Sequence, residues 1–287
     1  MSHSSPQSKA VALATCAEVP ELDEDGPALL AALAARGVEG VPAVWDAELD
    51  WERFELVVVR SAWDYAERRD EFLDWAAGLP RVLNPLPVLR WSTDKRYLAE
   101  LDAAGVPVVP TLFLEPGEAF EAPDGRFVVK PVFSAGGRAS ARYEPEEAGA
   151  AAAHVGALHA EGRAAMVQPH VDGIERAGEI ALVYLGGRYS HAVRKRVSLR
   201  RGDPDAPELY LEEAVEPAEP SEADLRVAEA ALAAAPFEDL LYARVDLVHD
   251  PEPLVLELEL AEPSLYLLYA EGSADRLAEL IAVACAS

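Results

Sequence analysis

Residues 240–265 read LLYARVDLVHDPEPLVLELELAEPSL, two apolar stretches joined by a turn rich in proline and acidic residues. The stretches predict paired strands, and alternation along a strand places Glu257 and Glu259 on one face. Arg244 and Asp246 share a face of the preceding strand in the same way. Carboxylates on one face repel each other unless a cation lies between them, so Asp246, Glu257 and Glu259 are candidate Mg²⁺ ligands. A solvated face of a half-exposed sheet is the alternative.

Upstream of this pair, the first 91 residues alternate short apolar strands with helices. The predicted strands cover residues 10–15, 38–46, 55–61 and 82–85, and the predicted helices cover residues 27–35 and 67–79. This alternation is typical of a small α/β unit with a mostly parallel sheet. All five tryptophans lie in this part of the chain, which marks it as a unit of its own.

The rest of the chain predicts an α/β (α+β) arrangement with hairpins. A helix is expected from Ser92, as its N-cap, to Gly105. The further predicted strands cover residues 127–133, 139–143 and 164–171, with a hairpin over 179–196 that turns at Gly186-Gly187. The further predicted helices cover residues 144–162, 221–235 and 272–285, and the acidic, proline-rich segment 200–220 is expected to be a loop.

Composition limits the classes of function. The 287 residues carry a formal net charge of −26 and are 51% hydrophobic, which excludes a disordered chain. Such a charge repels phosphates, so we expect no nucleic-acid partner. No apolar run is long enough to span a bilayer, and the first residues do not resemble a secretory signal. The expectation is a cytoplasmic protein without a membrane partner, in which Cys16 and Cys285 are packing residues.

Lysine is scarce in this chain, with four residues against 21 arginines. Lys130 lies in an apolar strand and precedes the glycine loop Ser134-Ala-Gly-Gly-Arg138. A strand lysine beside a glycine-rich turn can bind a polyphosphate through its ammonium group and backbone N–H groups. A plain hairpin turn is the alternative for the two glycines. Arg194 and Lys195 belong to a basic run over residues 188–201, which indicates an anion site or a solvated hairpin.

Five pieces in this order resemble the ATP-grasp superfamily. They are Ser92-Thr93-Asp94-Lys95, the VVKP that contains Lys130, the SAGGR loop, MVQPHV at 166–171, and ARVDLV…LELELAEPSL at 243–265. RSAWDY at 60–65, NP at 84–85, RWSTDK at 90–95 and ELELAEPSLY at 257–266 are similar to the branch that closes D-cycloserine from an O-ureido-serine. The resemblance implies an N-terminal α/β domain over 1–91 and two ATP-grasp subdomains over 92–170 and 171–287.

The resemblance also implies residue roles. ATP would be bound by Lys95, Lys130, Ser134, Gly136, Gly137, Gln168, His170, Val171, Glu175, Glu179 and Lys195. Asp246, Glu257 and Glu259 would bind two Mg²⁺ ions, with Mn²⁺ as a substitute, although many relatives carry Asn in place of Glu259. Arg244, Lys130 and Arg194 would be catalytic. Arg60, Trp63, Asp64, Tyr65, Arg194 and Ser264 would bind substrate, and core packing is the alternative for the residues at 60–65.

The function implied is an ATP-dependent ligase that joins a carboxylate to an amine or related nitrogen. It would proceed through an acyl phosphate and release ADP and phosphate. A small amino-acid-like substrate is expected, and an intramolecular cyclo-ligase fits the branch. A small-molecule kinase and a nucleotide-binding regulatory module without turnover are the open alternatives. The expected partners are small-molecule carboxylate and amine substrates, and a homodimer is the expected assembly.

Overall fold

The computed structural model describes residues 9–196 and 214–286. Its first sheet is parallel and consists of β1 (Lys9–Thr15), β2 (Val38–Val44), β3 (Leu56–Ser61) and β4 (Val82–Leu83), in the order β2-β1-β3-β4. Helices α1 (Gly26–Ala34) and α2 (Arg69–Ala77) connect these strands. Every residue of β3 is buried, as its unbroken apolar sequence indicates. The predicted parallel α/β unit is therefore confirmed.

Two antiparallel sheets follow. The smaller one consists of β5 (Leu112–Leu114), β6 (Phe127–Pro131), β7 (Ala141–Tyr143) and β8 (Ala165–Pro169), in the order β5-β8-β6-β7. Helix α5 (Ala148–Ala160) packs on it through Ala151, Val155 and Leu158. The larger sheet consists of β9 (Glu179–Leu185), β10 (Arg188–Arg196), β11 (Ala214–Ala218), β12 (Tyr242–His249) and β13 (Pro253–Glu259), in the order β11-β10-β9-β12-β13.

The remaining helices are α3 (Leu86–Ser92), α4 (Tyr97–Ala103), α6 (Gly173–Ala177), α7 (Glu222–Ala234) and α8 (Ser273–Ala286). Helix α7 begins at the Ser221 cap, whose hydroxyl accepts a hydrogen bond from the Asp224 N–H. Helix α8 packs against α1, so the last helix of the chain covers the first sheet. The predicted domain boundaries at residues 91 and 170 stay predictions.

The prediction of one helix from Ser92 to Gly105 is wrong. Ser92 is the last residue of α3, which begins beside Pro85 and Pro87 because proline favours the first turn of a helix. The Ser92 hydroxyl accepts the Leu260 N–H at 2.9 Å and so does not cap a helix. The chain then turns, and the Lys95 N–H donates to the Val132 carbonyl at 3.3 Å before α4 begins.

One further prediction differs from the structure, and one helix was not predicted. Within the segment 200–220, which was expected to be a loop, residues 214–218 form strand β11 and pair with β10. Strand β11 lies at the edge of the sheet, where exposed polar residues and proline are tolerated. Its sequence is therefore acidic and contains proline, and it does not show the apolar pattern by which a strand is predicted. The part of that segment up to residue 213 lies outside the described residues. Helix α6 was not predicted, since five residues carry no helical period.

Two buried side chains fasten the first sheet to the larger antiparallel sheet. The Asn84 amide donates to the carbonyls of Tyr242 and Leu260 at 2.9 and 2.7 Å and accepts the Leu241 N–H at 2.8 Å. The Tyr242 hydroxyl lies 2.6 and 2.8 Å from the carbonyls of Val59 and Ala261. The carboxyl end of β3 therefore faces the end of β13.

Both cysteines are buried free thiols, in agreement with their interpretation as packing residues. Among the described residues, no helix is long and apolar enough to cross a membrane. The cytoplasmic location and the homodimer stay predictions.

Candidate active site

A cavity of about 610 Å³ lies where the three sheets meet. The loop after β1 and the loop after β3 form one end, and the smaller and larger antiparallel sheets form the other. Ligands of α/β sheets bind at the carboxyl ends of parallel strands, and these two loops lie at such ends. The lining includes Trp63, Tyr65, Lys95, Lys130, Ser134, Gly136, Gly137, Gln168, Val171, Glu179, Lys195, Arg244, Asp246, Glu257, Glu259 and Ser264, all of which were predicted site residues.

The strand pair β12–β13 places its charged residues directly opposite one another. Asp246 faces Glu257 and Arg244 faces Glu259 in the antiparallel register. The Arg244 guanidinium contacts Asp246 Oδ1 through Nε at 2.8 Å and Glu259 Oε1 through Nη2 at 2.7 Å. Directly opposite side chains on one face of a sheet lie close together, which explains how the alternating residues of the two strands form one cluster.

Three lysines that are buried in the described part of the chain converge on these carboxylates. Lys95 Nζ lies 2.9 Å from Glu257 Oε2, and Lys130 Nζ lies 3.8 Å from Glu257 Oε1. Lys195 Nζ lies 2.7 Å from Asp246 Oδ2 and 3.0 Å from Glu179 Oε2. Ammonium groups from three separate parts of the chain therefore meet the carboxylates of β9, β12 and β13 in one cavity.

Gly178 allows this approach at the edge of the cavity. Its φ is +73°, and a Cβ at this position would lie 2.5 Å from the Lys195 carbonyl oxygen. Only glycine adopts this conformation without strain and leaves room for the neighbouring backbone. The close approach brings Glu179, the next residue, into register with Lys195.

Burial shapes the acidity of the cluster. Burial raises the pKa of Glu259 to about 7, although Arg244 opposes the shift. Burial would likewise raise the pKa of Asp246, but Arg244 and Lys195 outweigh it and hold that pKa well below its usual range. Burial lowers the pKa of Lys130 although Glu257 opposes the shift. The lysines and the arginine of the cluster therefore do not supply enough positive charge to keep all of its carboxyl groups ionised.

This charge imbalance fits a divalent cation. The cavity lining carries eight Asp or Glu residues against four Lys or Arg residues. Within the described part of the chain, no group of three or more His, Cys, Asp or Glu side chains is arranged to hold a metal, because the carboxylates contact lysine and arginine instead. Carboxylate oxygens are the donors that Mg²⁺ prefers, and they bind it together with substrate phosphates. Asp246, Glu257 and Glu259 are the residues that fit such an ion.

The glycine loop covers the cavity from the side of β6. Ser134, Gly136 and Gly137 line it, and the two glycines have φ values of +59° and +69°. Arg138 forms an ion pair with Glu67, which follows β3. The loop therefore connects the smaller antiparallel sheet with the first sheet across the cavity.

Three residues predicted for ATP or catalysis do not line the cavity. The His170 ring is buried with its Nε2 3.3 Å from Glu175 Oε1, and Glu175 is also paired with Arg142. Arg194 donates to the Ala177 carbonyl at 2.6 Å. Its neighbour Lys195 faces the cavity, and consecutive residues of a strand point to opposite faces.

Two of the four predicted substrate residues at 60–65 also lie outside the lining. Arg60 is 1% exposed, donates to the Pro263 carbonyl at 3.3 Å and lies 3.6 Å from Asp23 Oδ2. Asp64 accepts the Trp45 indole N–H at 2.7 Å and pairs with Arg68, which indicates a packing role. Of this group, the structure brings only the aromatic pair, Trp63 and Tyr65, to the cavity.

Sequence reasoning missed several lining residues. These are Asp23, Glu24 and Asp25 in the loop after β1, Glu262 after β13, and Tyr266 and Tyr269 beyond it. Burial raises the pKa of Glu262 to about 8, and the neighbouring Glu259 adds to the shift. The signal for the first group is their position after a parallel strand, where a ligand is expected.

The fold of this chain is similar to that of ATP-grasp ligases. Its structure superposes on D-alanine–D-alanine ligase from Bacillus anthracis complexed with ATP, with a TM-score of 0.66 and 16% identity over 97% of each chain. It also superposes on the ATP-grasp ligase PsnB complexed with minimal precursor, with a TM-score of 0.62 and 20% identity over 96% of this chain and 99% of that one. Both likenesses concern the fold.

Sequence similarity defines the family more narrowly. Residues 11–84 match the N-terminal domain of D-cycloserine synthetase DcsG. The cycloserine biosynthesis protein DcsG from Streptomyces lavendulae is 40% identical over 294 residues, which cover 95% of this chain and 97% of that protein. The crystal structure of D-cycloserine synthetase DcsG superposes with a TM-score of 0.85 and 36% identity, covering 96% of this chain and 99% of that one.

The chain therefore belongs to the D-cycloserine synthetase family of ATP-grasp ligases. It is an ATP-dependent enzyme that forms a carbon–nitrogen bond in natural-product biosynthesis. The ligase interpretation is confirmed, and the kinase and the regulatory module that the sequence left open are set aside.

Proposed function

We propose that this enzyme is a cyclo-ligase that activates the carboxylate of an O-ureido-serine as an acyl phosphate and closes the ring with a nitrogen of the same molecule. The observation that carries the proposal is the convergence of Lys95, Lys130, Lys195 and Arg244 on buried carboxylates in one cavity. Phosphoryl transfer depends on alignment and on cations around the phosphates, and this cavity supplies both.

The nucleotide would occupy the end of the cavity formed by the antiparallel sheets. Lys95 and Lys130 would bind its α- and β-phosphates, and the backbone of Ser134–Gly137 would cover them. Gln168 and Val171 line the same end, where they would hold the adenine. His170 and Glu175 would support this segment from outside the cavity rather than touch the nucleotide.

Asp246, Glu257 and Glu259 would hold two Mg²⁺ ions, and Mn²⁺ is expected to substitute for them. A bound divalent ion supplies charge neutralisation to the phosphates during transfer. The chain's own part is to present the carboxylates on one face of β12 and β13 and to orient them through Arg244 and Lys195. To bind Mg²⁺, the carboxylates would have to give up their present ion pairs with lysine and arginine.

Arg244 would act on the reacting carboxyl group. It is buried, contacts Asp246 and Glu259, and donates to the Ser264 carbonyl at 3.1 Å. Its guanidinium would stabilise the oxyanion that develops when the nitrogen attacks the acyl carbon, as the C–N bond forms and the bond to phosphate oxygen breaks. A positioned donor of this kind contributes about 3–4 kcal/mol to a transition state.

Ring closure in place of hydrolysis requires a cavity without bulk water. Trp63 and Tyr65 line its N-terminal end, and the glycine loop lines the cavity and is held to the segment after β3 by the Arg138–Glu67 pair. An acyl phosphate is hydrolysed when water reaches it, so closure of this loop would favour the intramolecular nitrogen.

The test is an incubation with ATP, Mg²⁺ and O-ureido-serine, with and without hydroxylamine. We expect ADP and phosphate release that depends on the amino acid, a cyclic product, and a hydroxamate when hydroxylamine traps the acyl phosphate. Serine without the ureido group is the matched control, since it has the carboxylate but lacks the internal nucleophile. A stable phosphorylated product, or ADP release independent of the amino acid, would contradict the proposal.

A further inference from the structure

Glu262 is a buried carboxyl on the cavity wall, in the loop that follows β13. It is 7% exposed, and the Trp63 indole N–H donates to its backbone carbonyl at 3.2 Å. The Tyr65 side chain lies beside the carboxyl group, near enough for its hydroxyl to lower the pKa of Glu262 against the effect of burial. Trp63 and Tyr65 both follow β3, so the first sheet holds this side chain in place at the N-terminal end of the cavity.

Glu262 differs from the other buried carboxylates of the wall in its partners. Glu179, Asp246, Glu257 and Glu259 each contact a lysine or an arginine. Among the residues that the structure describes, Glu262 forms an ion pair with none. Asp25, a further buried acid of the lining, accepts the Leu268 N–H at 3.2 Å at the start of α1, where the helix dipole favours a negative charge.

A buried carboxylate without a cation is costly unless a ligand supplies one. The surroundings of Glu262 suit an ammonium group, because the aromatic side chains of Trp63 and Tyr65 line the same cavity and aromatic rings attract cations. The Tyr266 ring already has the Arg244 guanidinium 5.5 Å from its centre. Lys95 and Arg244 lower the pKa of Glu262 through their charge, but neither of them forms an ion pair with its carboxyl group. The site therefore matches a small organic cation.

The loop also relates this carboxyl to the reacting end of the substrate. Residues 262–264 form one short segment, and Arg244 donates to its last carbonyl, that of Ser264. An α-amino acid carries its carboxylate and its ammonium group on the same carbon atom. A substrate carboxylate beside Arg244 would thus place its ammonium group near the other end of this segment.

We propose that Glu262 binds the α-ammonium group of the substrate and so selects an amino acid over the corresponding acid without the amino group. This inference rests on the proposed function. Tyr65 is a positioning residue, since its hydroxyl orients the Glu262 carboxyl. The pair would fix the orientation of the substrate in the cavity, with its carboxylate toward Arg244.

The test compares O-ureido-serine with 3-(ureidooxy)propionate, which has the same chain without the amino group. For each, kcat/KM is measured from ADP release at saturating MgATP. In Glu262→Gln, we expect kcat/KM for the amino acid to fall about 10- to 100-fold, the worth of one hydrogen bond between charged groups. We expect kcat/KM for the analogue to change less than about threefold, because the analogue has no ammonium group that could bind the Glu262 carboxylate.

Glu21→Gln is the matched control. Glu21 lies exposed in the loop after β1, outside the lining, and its substitution removes the same charge from the same end of the molecule. We expect it to leave the ratio of the two kcat/KM values unchanged. An unchanged ratio in Glu262→Gln, whether both values fall together or neither falls, would overturn the inference. An equal loss with a raised Mg²⁺ requirement would identify Glu262 as a metal ligand instead.

Tyr65→Phe gives a second, milder test. It keeps the ring and removes only the hydroxyl that orients Glu262, so the preference for the amino acid should fall about 3- to 10-fold. If Glu262→Gln does not fold, this variant decides the matter, and an unchanged preference would contradict the proposal. Failure of the proposed function itself is visible separately, as absence of ADP release by the unsubstituted enzyme with O-ureido-serine.

Discussion

The two ends of the cavity are built in different ways. At the end formed by the antiparallel sheets, charged residues alternate along strands, and almost every buried charge has a partner of opposite sign. At the N-terminal end, the lining comes from loops, and acidic and aromatic side chains meet without a lysine or arginine of the described chain in the lining. We infer that the first end is arranged for phosphates and metal ions and that the second is arranged for the organic substrate.

The largest effect is expected from removing a charge at the phosphate end. In Lys130→Met, ATP turnover in the presence of O-ureido-serine should fall about 1,000-fold, since a positioned cation stabilises charge during phosphoryl transfer. The measurement is steady-state ADP release, with circular dichroism as the control for folding. Turnover within tenfold of the unsubstituted enzyme would mean that nucleotide is bound elsewhere.

The adjacent residues Arg194 and Lys195 on β10 test how much the buried ion pairs of the cavity stabilise the fold. In Lys195→Met the free energy of unfolding should fall by about 3–5 kcal/mol, because Asp246 and Glu179 lose a shared cation in a buried site. In Arg194→Met, on the opposite face of the strand, it should fall by less than about 1 kcal/mol. Chemical denaturation of both variants measures the difference, and equal losses would contradict the assignment of the two faces.

The pH dependence of the free energy of unfolding tests the state of Glu262 at the N-terminal end of the cavity. The pKa of Glu262 rises from 4.5 to about 8 through burial, so the folded protein binds this proton more tightly than the unfolded chain. Its contribution to stability is therefore present at low pH and is lost as the pH rises from 4.5 to about 8.

Glu262→Gln should accordingly stabilise the free enzyme at high pH while it lowers activity. We expect a gain of roughly 1–2 kcal/mol in the free energy of unfolding at pH 8.5 and little change at pH 5. Thermal unfolding at the two values measures this. A loss of stability at pH 8.5 would show that the carboxylate already has a cationic partner in the fold.

The smallest effect concerns the connection between the two ends. Glu67→Gln removes the ion pair with Arg138, which joins the glycine loop to the first sheet at an exposed position. KM for ATP should rise about two- to threefold at low salt, and the difference should shrink at high salt, since exposed pairs are weak and screened. A salt-independent change would point to packing rather than charge.

The contrast also explains what the sequence could predict. Glu257 and Glu259 alternate with leucines, and Lys130 interrupts an apolar strand. Burying such charged side chains is costly unless they are paired, so their sequence positions indicate a shared site. Glu262 and Asp23 lie in loops, where acidic residues are ordinary, and only the return of both loops to one cavity distinguishes them. In the same way, the sequence predicts a buried apolar strand such as β3 but does not predict an exposed edge strand such as β11.

Strand register and local contacts explain why some predicted residues lie outside the cavity. Arg194 and Lys195 are adjacent in a basic run, and the run does not show which of them faces inward until the strand register is known. Asp64 sits next to Trp63 after β3, yet its carboxylate is used by Trp45 and Arg68. Neighbouring residues in a motif can thus have opposite roles, because backbone geometry rather than motif membership decides which side chain reaches the cavity.

The most direct test of the central claim is the anomalous scattering of Mn²⁺ in crystals grown with a non-hydrolysable ATP analogue. We expect manganese peaks bound by the carboxylates of Asp246, Glu257 and Glu259, with the phosphates of the analogue between Lys95 and Lys130. Manganese bound away from these carboxylates, with Lys95 and Lys130 still paired to Glu257, would contradict it.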